Sequence, residues 1–127
     1  MLSTTLRTGF RVGLYFCVAA IAVLAFYPLE DVPLTGYDKI NHVIAFAVLA
    51  WLAHGAYPGA ARLMAKWALL LLAYGLFIEV VQHHLPYRDF SWLDLVADAL
   101  GILLYIAGVG LVRSMRRATN VAAPSTH

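Results

Sequence analysis

The stretch Trp92–Val112, WLDLVADALGILLYIAGVGLV, decides the fold: it is apolar over its full length except for Asp94 and Asp98 near its start. A run of about 20 such residues matches the hydrocarbon thickness of a bilayer. Three further runs resemble it, at about 12–28, 40–57 and 67–85. Proline and glycine mark the breaks between them: Pro28 and Pro33, Pro58-Gly59, and Pro86. The chain of 127 residues is 62% hydrophobic and 13% charged, more apolar surface than one small soluble core can hide. The reading is therefore all-α: a four-helix transmembrane bundle over residues 1–117, with residues 118–127 expected as a disordered tail. Short connections force neighbouring helices to alternate, giving an up-down-up-down order. A cleaved signal peptide is the rival reading of the first run, but the small-residue triplet Ala20-Ile21-Ala22 lies in the middle of that run.

Seven of the nine lysines and arginines fall at one end of the bundle: Arg7, Arg11, Arg62, Lys66, Arg113, Arg116 and Arg117. Only Lys39 and Arg88 fall at the other. By the positive-inside rule both termini are expected in the cytoplasm, with the loops at 29–39 and 86–91 facing outward, as in a multi-pass protein of the bacterial inner membrane. Basic residues that flank apolar runs in this way are topology signals, and a nucleic-acid partner is not expected. The lone Cys17 lies within an apolar run and excludes an intrachain disulfide.

All seven acidic residues, Glu30, Asp31, Asp38, Glu79, Asp89, Asp94 and Asp98, lie at the end opposite the basic cluster. At about 1.5 Å per residue, Glu79 is ~9 Å inside the loop that begins at Pro86, Asp98 ~10 Å beyond Ser91, and His42 ~6 Å in from Asp38. Three helices thus place ionisable groups in one layer, where facing lipid would be costly, so they should face each other. Asp38 and His42, Glu79 and His83, and Asp94 and Asp98 each share a helix face through four-residue spacing. The two aspartates on one face require a cation, metal or shared proton between them. Arg88 is the expected partner, ahead of Lys39, because its planar fork grips a carboxylate or phosphate through two bonds.

A purely structural clasp of Glu79, Arg88 and Asp98 is the simpler reading, but so many ionisable groups at one depth exceed what packing requires. A metal set of His42, Glu79, His83 and Asp98 is conceivable. No metal-ligand motif accompanies it, so neither metal nor cofactor is expected. His54 and His84 read as isolated interfacial residues. Tyr27, Tyr37, Tyr87, Phe90 and Trp92 at one boundary, and Tyr57 and Trp67 at the other, read as interfacial belts. The small residues Ala45, Ala47, Ala50, Ala53, Gly75, Gly101, Gly108 and Gly110 read as packing positions.

The order of these residues carries a resemblance. Asp38-Lys39-Ile40-Asn41-His42 leading to Phe46, Glu79-Val80-Val81-Gln82 followed by Arg88, and Asp94 through Asp98 to Gly101 resemble the VanZ-like family of small membrane proteins. The resemblance spans about 38–101 and implies signature residues Asp38, Lys39, His42, Glu79, Gln82, Arg88 and Asp94. Asp98 stands where the family pattern usually has asparagine, which adds an acid to the site. The resemblance also implies a bacterial envelope protein, in a family named for a member linked to resistance to the glycopeptide teicoplanin. Two functions are then expected to compete. One is binding of a lipid-linked or amphipathic envelope molecule, with Arg88 on its anionic head. The other is an intramembrane hydrolase or transferase acting on a lipid-linked phosphate, with Glu79 or Asp98 as base and His42 or His83 carrying a proton. Ion movement fits less well, since the inner halves of the helices lack matching ionisable groups.

Overall fold

Ser3 sets the start of the first helix: its hydroxyl accepts a hydrogen bond from the Leu6 N–H at 3.2 Å, satisfying one of the donors a helix leaves free at its beginning. In the computed structural model, which describes residues 2–28 and 38–122, four helices follow in order. They are α1 (Thr4–Phe26), α2 (Asp38–Ala56), α3 (Ala61–His83) and α4 (Trp92–Ala122). Each is long and apolar enough to cross a membrane, and no strand occurs among the described residues.

The helices outrun the apolar runs where nothing stops them. Arg7 and Arg11 lie on the first turns of α1, and Arg62 and Lys66 on those of α3, instead of in leading loops. α3 ends at His83, short of the expected Leu85, because the backbone turns ahead of Pro86. α4 continues through Ala118–Ala122, residues expected in a disordered tail. No proline or glycine follows Gly110 until Pro124, so no local signal breaks the helix. Ala123–His127 lie outside the described residues, as do Glu30, Asp31 and Tyr37. The 31 residues of α4 span ~46 Å, well beyond a hydrocarbon core of about 30 Å, so its arginine-bearing end projects from the bilayer.

Side-chain pairings give the directions. Tyr74 reaches the Val18 carbonyl and Gln82 the Ala25 carbonyl, so α1 and α3 run in parallel. Lys39 with Asp94, His42 with Asp98 and His54 with Tyr105 make α2 and α4 parallel. Phe10 packs on Trp51 and Gly55, so α1 opposes α2 and the bundle alternates as expected. α2 supplies most of the core through Phe46, Leu49, Ala50, Leu52, Ala53 and Ala56, while α1 and α4 do not approach each other.

At Gly101, α4 comes close to the backbone of α2. A side-chain carbon there would meet the Val43 carbonyl oxygen and the Ala47 amide, backbone atoms that cannot move aside. Gly101, Ala50 and Ala53 are therefore packing positions, as the sequence suggests. Gly108 and Gly110 are not: both face open space. Trp67 is likewise no belt residue, being buried in the core cluster beneath His54. Tyr27, Tyr87 and Trp92 are exposed at the other boundary, as a belt requires.

Candidate functional site

The close contact at Gly101 brings the first turns of α2 and α4 into register, and the charged faces of the two helices meet. Lys39 Nζ lies 3.1 Å from Asp94 Oδ1, and His42 Nδ1 lies 2.7 Å from Asp98 Oδ1. His42 Nε2 is 3.8 Å from Asp94 Oδ2, so the imidazole sits between both carboxylates. The repulsion along the Asp94/Asp98 face is thus answered by Lys39 and His42. Arg88, the partner expected from the sequence, does not do this. Its guanidinium makes no hydrogen bond or ion pair with a described residue. The register of α2 against α4 explains the difference, because it carries Lys39 over Asp94 while Arg88 stays in the connection after α3.

Asp98 is 1% exposed and fits beside Gly75 of α3, where any side-chain carbon would overlap its carboxylate. Glu79, also 1% exposed, enters from α3. Its Oε2 accepts the Ser91 N–H at 2.9 Å, while its Oε1 is buried without a partner among the described residues. Ser91 in turn receives the Asp94 N–H on its hydroxyl at 3.4 Å and so begins α4. A carboxylate at this position also complements the positive end of the helix dipole. The Ser91-Trp92-Leu93-Asp94 pattern is a helix-start signal that could have brought Ser91 into the site from sequence alone.

His83 does not join the cluster. It is exposed, with its ring edge-on to His84 and Phe90. His83 lies about 40° to one side of Glu79 on the helix and Gln82 about 60° to the other, and packing against α1 turns Gln82 inward. Gln82 is buried and donates to the Ala25 carbonyl of α1 at 3.0 Å, tying α3 to α1. The conceivable metal set of His42, Glu79, His83 and Asp98 is therefore not assembled. A different trio, Asp38, His42 and Asp94, brings one potential ligand atom from each residue within 4.8 Å of the others. Asp98 holds His42 Nδ1 and leaves Nε2 toward that trio, an arrangement found behind metal-ligating histidines, but Lys39 already supplies Asp94 with a cation.

Two adjacent cavities with four lining residues in common open on this cluster. A polar one of about 250 Å³ is lined by Asp38, Lys39, His42, Gln82, Arg88 and Asp94, with Tyr87, Asp89 and Ser91 at its wall. The other, about 190 Å³, is mostly apolar, with Ile21, Leu24 and Ala25 of α1, Ala45 and Phe46 of α2, and Ile78 of α3. Asp38, His42, Gln82 and Arg88 line both. The first helix thus contributes one apolar wall of the site. Its uniform apolar run held no signal for this role, and Asn41, which also lines the apolar cavity, is a second residue the sequence reading left out.

The VanZ/LLP1 family model matches residues 7–113. The chain belongs to the VanZ/LLP1 family. The match runs from the first turn of α1 to the basic segment of α4, wider than the 38–101 stretch that carries the signature, and so takes in the α1 wall of the apolar cavity. No match is found among curated protein sequences or solved structures. In this VanZ/LLP1 family member, Asp38, Lys39, His42, Glu79, Gln82, Arg88, Asp94 and Asp98 converge at one end of a multi-pass membrane bundle, with His83 outside.

Proposed function

We propose that this membrane protein binds a lipid-linked or amphipathic envelope molecule, with its anionic head in the polar cavity and its apolar part between α1, α2 and α3. The observation that carries this reading is Arg88. It lines both cavities, yet its guanidinium engages no described residue, whereas Asp94 and Asp98 already have partners in Lys39 and His42. A planar guanidinium at a polar-apolar junction, without a side-chain partner among the described residues, suits a phosphate or carboxylate head. The positive-inside rule supports an outward orientation of this end in a bacterial inner membrane, where it would meet lipid-linked wall precursors. A link to teicoplanin resistance rests on the family name alone.

One observation favours a second reading, an intramembrane hydrolase or transferase acting on a lipid-linked phosphate. Glu79 Oε1 is buried without a partner among the described residues and could take a proton from water attacking phosphorus, then return it to the lipid oxygen as the P–O bond breaks.

The variants Glu79→Gln, Arg88→Lys and Asp98→Asn separate these readings. We expect Arg88→Lys to reach the membrane at normal abundance and to lose the copurifying amphiphile by about tenfold, equivalent to roughly 1.4 kcal/mol, because lysine cannot reproduce a two-point grip. The masses of total envelope lipids should not change. Altered lipid chemistry in the Glu79→Gln strain, without a copurifying species in the parent, would favour the enzyme.

A further inference from the structure

The opposite end of the bundle holds a separate polar network that the sequence reading treated as an isolated histidine. His54 Nδ1 lies 2.9 Å from the Tyr105 hydroxyl, and His54 Nε2 lies 3.4 Å from an Arg113 guanidinium nitrogen. Guanidinium can only donate, so Nε2 must accept and the ring proton sits on Nδ1, donated to the Tyr105 oxygen. The Tyr105 O–H therefore keeps its own proton to give, and it has no other partner among the described residues.

These groups border a groove of about 520 Å³ along α4, with Leu104, Val109 and Val112 as its apolar floor and Arg113 and Arg116 at its rim. Gly108 leaves the groove open, since nothing lies within 4 Å of where its side chain would begin. The groups lining the groove that still have hydrogens to donate are the Tyr105 hydroxyl, Arg113 and Arg116, while the ring acceptor His54 Nε2 is taken by Arg113. Among the described residues no carboxylate lies at this end, because Asp38, Glu79, Asp89, Asp94 and Asp98 all belong to the other, ~22 Å away from Arg113 along α4. Donors without acceptors above an apolar trough complement a phosphate monoanion attached to acyl chains.

We infer that this groove is a second site, for an anionic glycerophospholipid of the leaflet at the basic end, its phosphate held by Arg113, Arg116 and the Tyr105 hydroxyl and one acyl chain lying along Leu104 and Val112. His54 acts as a positioning residue that keeps the tyrosine proton available. The site is independent of the binding proposed at the acidic end.

The test uses the full chain in nanodiscs made from equal parts phosphatidylglycerol and phosphatidylcholine, with retained lipid identified by native mass spectrometry after detergent release. Wild type should retain phosphatidylglycerol in preference to phosphatidylcholine. Arg113 and Arg116 each offer the phosphate a charge-assisted hydrogen bond, worth about 1.5–3 kcal/mol, so Arg113→Gln/Arg116→Gln should reduce it by at least tenfold. Tyr105→Phe should lower it two- to threefold, a modest loss on the scale of a single hydrogen bond. Arg62→Gln/Lys66→Gln removes the same charge from the same end outside the groove, and should keep the preference. Equal loss in both double variants, or undiminished retention in Arg113→Gln/Arg116→Gln, would overturn the proposal.

Discussion

Replacing Gly101 by valine should leave little folded protein in the membrane. The new side chain would press on the Val43 carbonyl and the Ala47 amide, which belong to the α2 backbone and cannot rotate away. Relief requires α2 and α4 to separate. Overpacking of this kind costs about 1–3 kcal/mol or more. Separation would also pull Lys39 from Asp94 and His42 from Asp98, leaving buried carboxylates without partners at about 3–5 kcal/mol. The sum is comparable with the whole stability of a typical domain, about 5–15 kcal/mol. Membrane abundance and thermal unfolding in detergent measure the effect. Gly108→Val is the matched control, since its side chain would enter open space, and it should behave as wild type in both measurements.

The second large effect is expected from His42→Ala. Asp98 is 1% exposed and His42 is its one hydrogen-bonded partner among the described residues, so truncation strands a carboxylate in the bundle interior. A loss of about 3–5 kcal/mol follows, seen as a strongly lowered Tm. Asp98→Asn should be far milder, because an amide oxygen can still accept from the imidazole and no charge remains buried. Combining His42→Ala with Asp98→Ala should recover much of the stability that His42→Ala loses, since removing both members of a buried pair removes the stranded charge as well. Equal Tm values for His42→Ala and Asp98→Asn would contradict this account of the pair.

The extent to which the sequence foretold this site follows from what each signal depends on. Spans were readable because hydropathy is a local property, and the layer of ionisable groups was readable because depth scales with residue number along a helix. Pairing is different. That Asp94 and Asp98 need a cation follows from their spacing, but the choice of Lys39 and His42 over Arg88 depends on how far α2 slides along α4, and Gly101 sets that register through contacts 58 and 54 positions away in the chain, at Val43 and Ala47. His83 was misplaced for a subtler reason: four-residue spacing and three-residue spacing both mark one helix face, and only packing against α1 decides that Gln82 points inward. Ser91 had a readable capping pattern, whereas the α1 wall had none, because a lipid-facing run and a cavity-facing run have the same composition. His54 looked solitary since its partners, Tyr105 and Arg113, lie more than 50 residues on.

The central claim is that the polar and apolar cavities form one site for one amphipathic molecule. The most direct test compares the adduct masses carried by wild type, Arg88→Gln and Ala45→Trp in native mass spectra of protein released from its own membranes. Arg88→Gln removes the cation shared by both cavities, and Ala45→Trp fills the apolar one at a partly buried wall position. The account predicts one adduct mass on the wild type that is lost from both variants while each stays folded. An adduct that persists in both variants, or that depends on only one of the two cavities, would contradict it.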